Sequence, residues 1–159
     1  MRVIVLSDSH KRKANLFTAI ENEPTAEIVY FLGDGISEAE EAASIFKDKK
    51  IFILLRGNCD FYSSVPLCDV RSVNNAKIYA SHGAEENVKL SYVGIKRVAR
   101  ENGCNIALFG HTHDKYYACE DGLHIFNPGS IKDGSYGVID IEENGIMCFH
   151  KKLYLKQIN

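Results

Sequence analysis

Seven side chains able to hold a metal sit in five short blocks of this chain: Asp8 and His10, Asp34, Asn58, His82, and His111 with His113. Each block follows an apolar run that has the composition of a β-strand: Val3 to Leu6, Ile28 to Leu32, Ile51 to Leu55, the stretch ending at Ala80, and Ile106 to Phe109. In open α/β sheets the carboxyl ends of strands line the ligand crevice, so loops distant in sequence converge there. Glycines at 33, 57, 83 and 110 stand beside the polar residues and permit tight turns and close backbone approach. The i, i+2 spacing of Asp8/His10 and His111/His113 puts each pair on one face if the backbone there is extended.

Turn chemistry accounts for aspartate, asparagine and glycine in such loops, but not for four of the chain's six histidines falling at strand ends. The donors are oxygen and nitrogen only, which suits manganese, iron, nickel, zinc or magnesium rather than a thiolate zinc site. Seven ligands exceed one ion's needs, and a shared carboxylate would let two ions sit roughly 3.5–4 Å apart. Two divalent ions against two carboxylates leave a charge of about +2, which attracts phosphate and stabilises transition-state charge. Water between the ions would ionise near neutral pH and act as the nucleophile. A Ser/His/Asp triad within Ser7 to His10 is disfavoured, because sequence neighbours do not assemble that geometry and no G-x-S-x-G is present.

The elements that must position these groups follow from periodicity. Lys13 to Glu23 and Ser37 to Lys47 have helical spacing, with Ser37 in the position of an N-cap, so the first third reads βαβαβ with a parallel sheet. Continuous apolar runs there suit strands buried on both faces. Asp69 to Val73 and Lys77 to Ala80 flank a hairpin turn at Asn74-Asn75, and a helix runs from about Tyr92 to Glu101. From Lys115 onward the chain reads as β: Tyr116 to Cys119, Leu123 to Phe126, Tyr136 to Ile141 and Ile146 to Leu153. A βα-rich half joined to a β-rich half fits a two-sheet α/β sandwich with helices outside.

Composition narrows the partners. The 159 residues are 45% apolar and 25% charged, with a formal net charge of −2. That size and balance suit one domain with its own core. The charge, with no basic-aromatic groove pattern, argues against polymeric nucleic acid and an anionic membrane. The pairs Lys49-Lys50 and Lys151-Lys152 read as solvated strand ends. An N-terminal apolar run of four residues is too short for a signal peptide or membrane span, so the cytoplasm is expected. Five scattered cysteines exclude a disulfide framework, and Cys68, Cys104, Cys119 and Cys148 read as buried or half-buried.

The ordered blocks D-S-H at 8–10, G-D at 33–34, G-N-C-D at 57–60, S-H-G at 81–83, G-H-T-H at 110–113 and N-P-G-S at 127–130 resemble the calcineurin-like metallophosphoesterases. They are most similar to the small YfcE-type phosphodiesterases. Because the blocks run from residue 8 to 130, the resemblance implies one metallophosphoesterase domain over residues 1–159. Its fold would be an αββα sandwich of two mixed sheets flanked by helices. It also implies hydrolysis of phosphodiesters or monoesters at a centre of two divalent ions, Mn²⁺ first, with Ni²⁺, Fe²⁺, Zn²⁺ or Mg²⁺ as alternatives. The small phosphoester is the expected partner, and a homo-oligomer is left open.

On that pattern Asp8, His10, Asp34 and His113 would hold one ion, and Asp34, Asn58, His82 and His111 the other. Asp34, Asn58, Cys59 and His82 are the catalytic candidates. Asp60 is expected to orient nearby backbone or Asn58. Asn127 and Ser130 read either as part of a turn or as facing the site, and Arg56 either as approaching phosphate or as a surface residue. His124 and His150 match no block and read as structural. Cys59 stands where many superfamily members keep a histidine near the scissile phosphate, although the small YfcE-type branch shares the cysteine. A thiol is a poorer proton donor than imidazole, so activated leaving groups are expected to be favoured. Nearby cations would lower its pKa and make it prone to oxidation. A catalytically silent scaffold like the retromer subunit of this fold is the competing reading.

Overall fold

A computed structural model describes residues 1–154. Its first sheet has the order β10-β9-β1-β2-β3 and its second β4-β5-β6-β8-β7. In the first, β1 (Arg2–Leu6), β2 (Ile28–Phe31) and β3 (Ile51–Leu54) run parallel, joined by helices α1 (Lys13–Glu21) and α2 (Ile36–Phe46). The second contains the antiparallel hairpin β4 (Cys68–Val73) and β5 (Ala76–Ser81), then β6 (Ile106–Leu108) parallel to β5 after helix α3 (Val93–Glu101). The hairpin β7 (Lys115–Glu120) and β8 (Leu123–Pro128) completes it, with β8 parallel to β6.

Side-chain alternation makes the layers. Val3 and Val5 of β1 point between the sheets with Ile78, Ile106, Leu108 and Phe126, whereas Ile4 and Leu6 pack under the helices with Leu16, Ile20 and Ala39. On the far side Ile95 and Ala99 of α3 cover Ala107 and Ile125. The chain is thus helix, sheet, sheet, helix, and all three apolar layers are occupied. Burying one Ile or Leu contributes about 1.5–3 kcal/mol, so truncating the fully buried Ile95 to alanine would cost roughly 2–5 kcal/mol.

The β-rich C-terminal half is divided between the sheets. A short 3₁₀ turn (Ile131–Asp133) passes below Asp8, and β9 (Ser135–Glu142) and β10 (Gly145–Lys152) then return to the first sheet, β9 antiparallel to β1. This closes one flank of β1, leaving β3 and β10 as the two edge strands. The expectation that β3 is buried on both faces therefore fails, and Ile51 is 61% exposed.

Three smaller expectations are also corrected. Ser37 is not the N-cap of α2; Gly35 is, and the Asp60 carboxylate accepts from the Gly35 and Ile36 N–H groups at 3.0 Å. A group distant in sequence satisfies the helix start, so no local hydroxyl is needed. Lys50 is buried, its Nζ donating to the carbonyls of Glu23 and Ala26 at 2.8 and 2.7 Å. Cys68 and Cys119 are exposed because they lie on the edge strands β4 and β7.

Candidate metal centre

All five candidate loops leave the same end of the sandwich, and backbone hydrogen bonds tie them together. Asp8 N–H donates to Gly33 O at 2.9 Å, His10 N–H to Asp34 O at 3.1 Å, and Gly110 N–H to His82 O at 2.9 Å. At five of the seven donors, both i, i+2 pairs included, the backbone is not extended. Asp8, His10, Asp34, His111 and His113 have φ of 57°, 40°, 61°, 69° and 62°. The i, i+2 argument from a shared strand face is therefore wrong in its premise. His111 and His113 in fact point into different clusters. Left-handed conformations at non-glycine residues are costly and concentrate at sites that use the strain, here to turn side chains inward past the strand ends.

Two clusters result: Asp8, His10 and His113, and Asp34, His82 and His111, each with its donor atoms within 4.8 Å of one another. In the first, His113 Nε2 stands 3.2 Å from Asp8 Oδ1, and His10 Nε2 stands 3.7 Å from that oxygen and 3.2 Å from His113 Nε2. In the second, His82 Nε2 lies 3.0 Å from Asn58 Oδ1, 3.1 Å from His111 Nδ1 and 3.4 Å from Asp34 Oδ2. Asp34 Oδ2 is also 3.8 Å from His10 Nε2, so this one atom faces a histidine of each cluster.

Burial and hydrogen bonding fix the orientation of these groups. His82 is buried and its Nδ1 donates to Leu32 O at 2.7 Å, which leaves the Nε2 lone pair of the neutral ring directed into the cluster. Asp8 Oδ2 accepts from Ser7 Oγ at 2.6 Å and from His111 N–H at 3.1 Å. Its Oδ1 is buried without a hydrogen-bond partner. Ligand atoms about 2.0–2.2 Å from one cation lie roughly 3.0–3.5 Å apart, so the orphaned oxygen and the converging imidazoles fit divalent ions.

The electrostatics agree with an anionic pocket. Burial opposes ionisation of Asp34, but hydrogen bonds from His82 and from Cys59 N–H, the latter at 2.8 Å, hold its carboxyl well below the ordinary range. Burial likewise disfavours protonated His82, yet the Asp34 hydrogen bond and the charges of Asp8 and Asp34 raise its pKa. Burial and proximity to His82 lower that of His111. Partial desolvation and the Asp34 carboxylate push the Cys59 thiol pKa up although the residue as a whole is exposed, so the protein's own groups act against the shift expected from neighbouring cations.

The supporting residues act mainly through backbone. Asp60 accepts from Asp34 N–H and Gly57 N–H at 2.8 Å, in addition to capping α2. Asn127 is buried and faces the backbone rather than the cavity, donating to Gly110 O and Thr112 Oγ1 at 3.0 Å. Ser130 Oγ donates to Asp8 O at 2.8 Å. Arg56 Nη1 donates to Ser63 O at 3.0 Å. His124 contacts the Tyr117 hydroxyl and His150 the Asn127 carbonyl, as befits structural histidines.

Sequence reasoning missed Ser7 and Glu38. Ser7 immediately precedes the first block and adjoins Asp8, which was the available signal. Glu38, which accepts from Ser9 Oγ and Lys11 N–H at 3.1 and 2.6 Å and so braces the His10 loop, has no sequence signal. Two glycines are required for space: a Cβ on Gly57 would lie 2.1 Å from Asp34 Oδ1, and one on Gly110 1.9 Å from Ser7 Oγ.

The family model of the calcineurin-like phosphoesterase superfamily domain matches residues 1–144. The chain is 26% identical to the probable metallophosphoesterase YsnB of Bacillus subtilis, covering 91% of this chain and 86% of that protein. A predicted phosphoesterase of Streptococcus pneumoniae superposes with a TM-score of 0.80 at 23% identity, over 95% of this chain and 88% of that one. Vps29 of Entamoeba histolytica, solved with Zn²⁺, superposes with a TM-score of 0.74 at 19% identity, over 96% and 99% of the two chains. With a family match across most of its length, the chain belongs to the calcineurin-like phosphoesterase superfamily.

Proposed function

We propose that this chain is a dinuclear metal-dependent phosphoesterase acting on phosphodiesters. The observation that carries the reading is Asp34 Oδ2, 3.8 Å from His10 and 3.4 Å from His82, which makes Asp34 the natural shared ligand of two ions. Asp8, His10 and His113 would complete one coordination sphere, and Asn58, His82 and His111 the other. Two bound divalent ions, Mn²⁺ first among the candidates, would supply positive charge to phosphoryl oxygens and activate water.

The chain's own contributions are positional. Leu32 O holds the His82 ring, Asp60 holds the Asp34 backbone, and Asn127 holds the loop bearing His111 and His113. A diester carries one negative charge, within what two divalent ions against two carboxylates can balance. Arg56, the basic residue nearest in sequence to Asn58, lines the recess beside Asn58 and His82, with its Nη1 donating to Ser63 O at 3.0 Å. Cys59 sits beside Asp34, and a thiol, a weaker hydrogen-bond donor than imidazole, offers a leaving alkoxide little proton help, so aryl esters are the better substrates.

Among the described residues no helix is long and apolar enough to cross a membrane. All five cysteines are free, which suits a reducing compartment such as the cytoplasm. A second reading, a scaffold binding partner proteins without catalysis, draws on the likeness to Vps29. Bound metal and hydrolysis of bis-p-nitrophenyl phosphate with added Mn²⁺ separate the two. Turnover that disappears with chelator supports the enzyme, and a folded, metal-loaded protein without turnover on any divalent ion supports the scaffold.

A further inference from the structure

The loop after Cys59 carries Phe61 and Tyr62, 79% and 103% exposed, an expensive way to use two aromatic side chains unless something covers them. They line a space that adjoins the one beside the donor clusters. Near the donor clusters a space of about 510 Å³ is lined by His10, Asp34, Cys59, Ile36 and Asp60. Ile36 and Asp60 also line the adjoining space that ends at Phe61, Tyr62 and Glu40.

We propose that these two spaces form a nucleobase subsite, in which the phosphoryl group lies over the donor clusters and the base of a nucleoside phosphoester packs on Phe61 and Tyr62. The assignment rests on the phosphoesterase reading for the location of the phosphoryl group. Its direction follows from charge. Among the described residues no lysine or arginine lines the Phe61 end, and the exposed Glu40 carboxylate there would repel a second phosphate, so a neutral moiety belongs at that end. The spacing between phosphate and aromatics is held by the loop itself. Asp60 N–H bonds Gly57 O at 3.2 Å, Ser63 N–H bonds Asp60 O at 3.2 Å, and Arg56 bonds both Pro66 O and Ser63 O at 3.0 Å. With the loop backbone held, the entropy lost on binding is mainly that of the two exposed side chains. Stacking on aromatic side chains is sequence-tolerant and worth roughly tenfold or more in affinity per base.

The test is calorimetric titration of the Mn²⁺-loaded full chain with AMP and with ribose 5-phosphate, which share a phosphate and a sugar and differ in the base. The wild type should bind AMP about tenfold tighter. The double variant Phe61→Ala/Tyr62→Ala should reduce AMP to the level of ribose 5-phosphate while leaving ribose 5-phosphate unchanged. Equal binding of the two ligands by the wild type overturns the proposal, as does an AMP preference that survives in the double variant. Hydrolysis of bis-p-nitrophenyl phosphate is scored separately. A protein that prefers AMP but hydrolyses nothing keeps the subsite and loses the esterase reading; one that hydrolyses without preferring AMP does the reverse.

Discussion

The backbone N–H of Asp34 donates to the carboxylate of Asp60 at 2.8 Å across 26 positions of sequence. That carboxylate also accepts from Gly35, Ile36 and Gly57, so it fixes the loop after β2, the start of α2 and the loop after β3 at once. Asp60→Asn exchanges one acceptor oxygen for a donor and leaves two N–H groups unsatisfied, at roughly 1–3 kcal/mol each. Mn²⁺ affinity should fall about 10- to 100-fold, with a lower Tm. Unchanged Mn²⁺ titration curves would show that Asp60 does not position Asp34.

Gly57 tests the same contact from the other side. A methyl group there meets Asp34 Oδ1 at 2.1 Å and Asp34 N at 2.6 Å, so Gly57→Ala must displace the aspartate. The expected result is a drop in kcat/KM on bis-p-nitrophenyl phosphate of about tenfold or more. Wild-type kinetics in a folded Gly57→Ala protein would contradict the shared-ligand geometry.

Cys59 sets leaving-group preference in this account. Its N–H holds Asp34 Oδ1 at 2.8 Å through backbone, a bond that survives substitution, while its thiol is a weaker hydrogen-bond donor than imidazole. Cys59→His should therefore raise hydrolysis of alkyl relative to aryl diesters, by up to about 10²-fold. A ratio of alkyl to aryl rates that does not move would remove Cys59 from the chemistry.

The donor residues were legible because strand-end loops in an α/β fold have a fixed address: an apolar run followed by glycine and a histidine or carboxylate predicts convergence without coordinates. Their conformation was not. Positive φ at Asp8, His10, His111 and His113 is set by cross-loop bonds such as Asp8 N–H to Gly33 O, which spacing does not encode. Asp60 was expected to orient backbone and does so, but its capping of α2 displaced the local expectation at Ser37. The order of strands was the least visible feature, since β9 pairs with β1 across nearly the whole chain and an apolar run does not name its partner.

A pH effect separate from the centre concerns Arg2 and Asp140, where Nε and Nη2 donate to the two carboxylate oxygens at 2.8 Å. The Arg2 hydrogen bonds hold the Asp140 pKa below its ordinary value. A carboxyl whose pKa is lower folded than unfolded stabilises the fold above the unfolded value and loses that contribution as pH falls through the folded one. Asp140→Asn should thus cost about 1 kcal/mol near neutral pH, with the gap to wild type narrowing below about pH 4 in urea melts. A gap independent of pH would mean that the carboxylate charge contributes nothing.

The central claim is that Asp34 is shared by two ions, and counting ions tests it most directly. Titration of metal-free wild-type protein with Mn²⁺ should saturate at two ions per chain, Asp8→Ala should retain one, and Asp34→Ala should weaken both sites together. A single saturable ion in the wild type, or an Asp34→Ala protein that loses one site and keeps the other at full affinity, would contradict it.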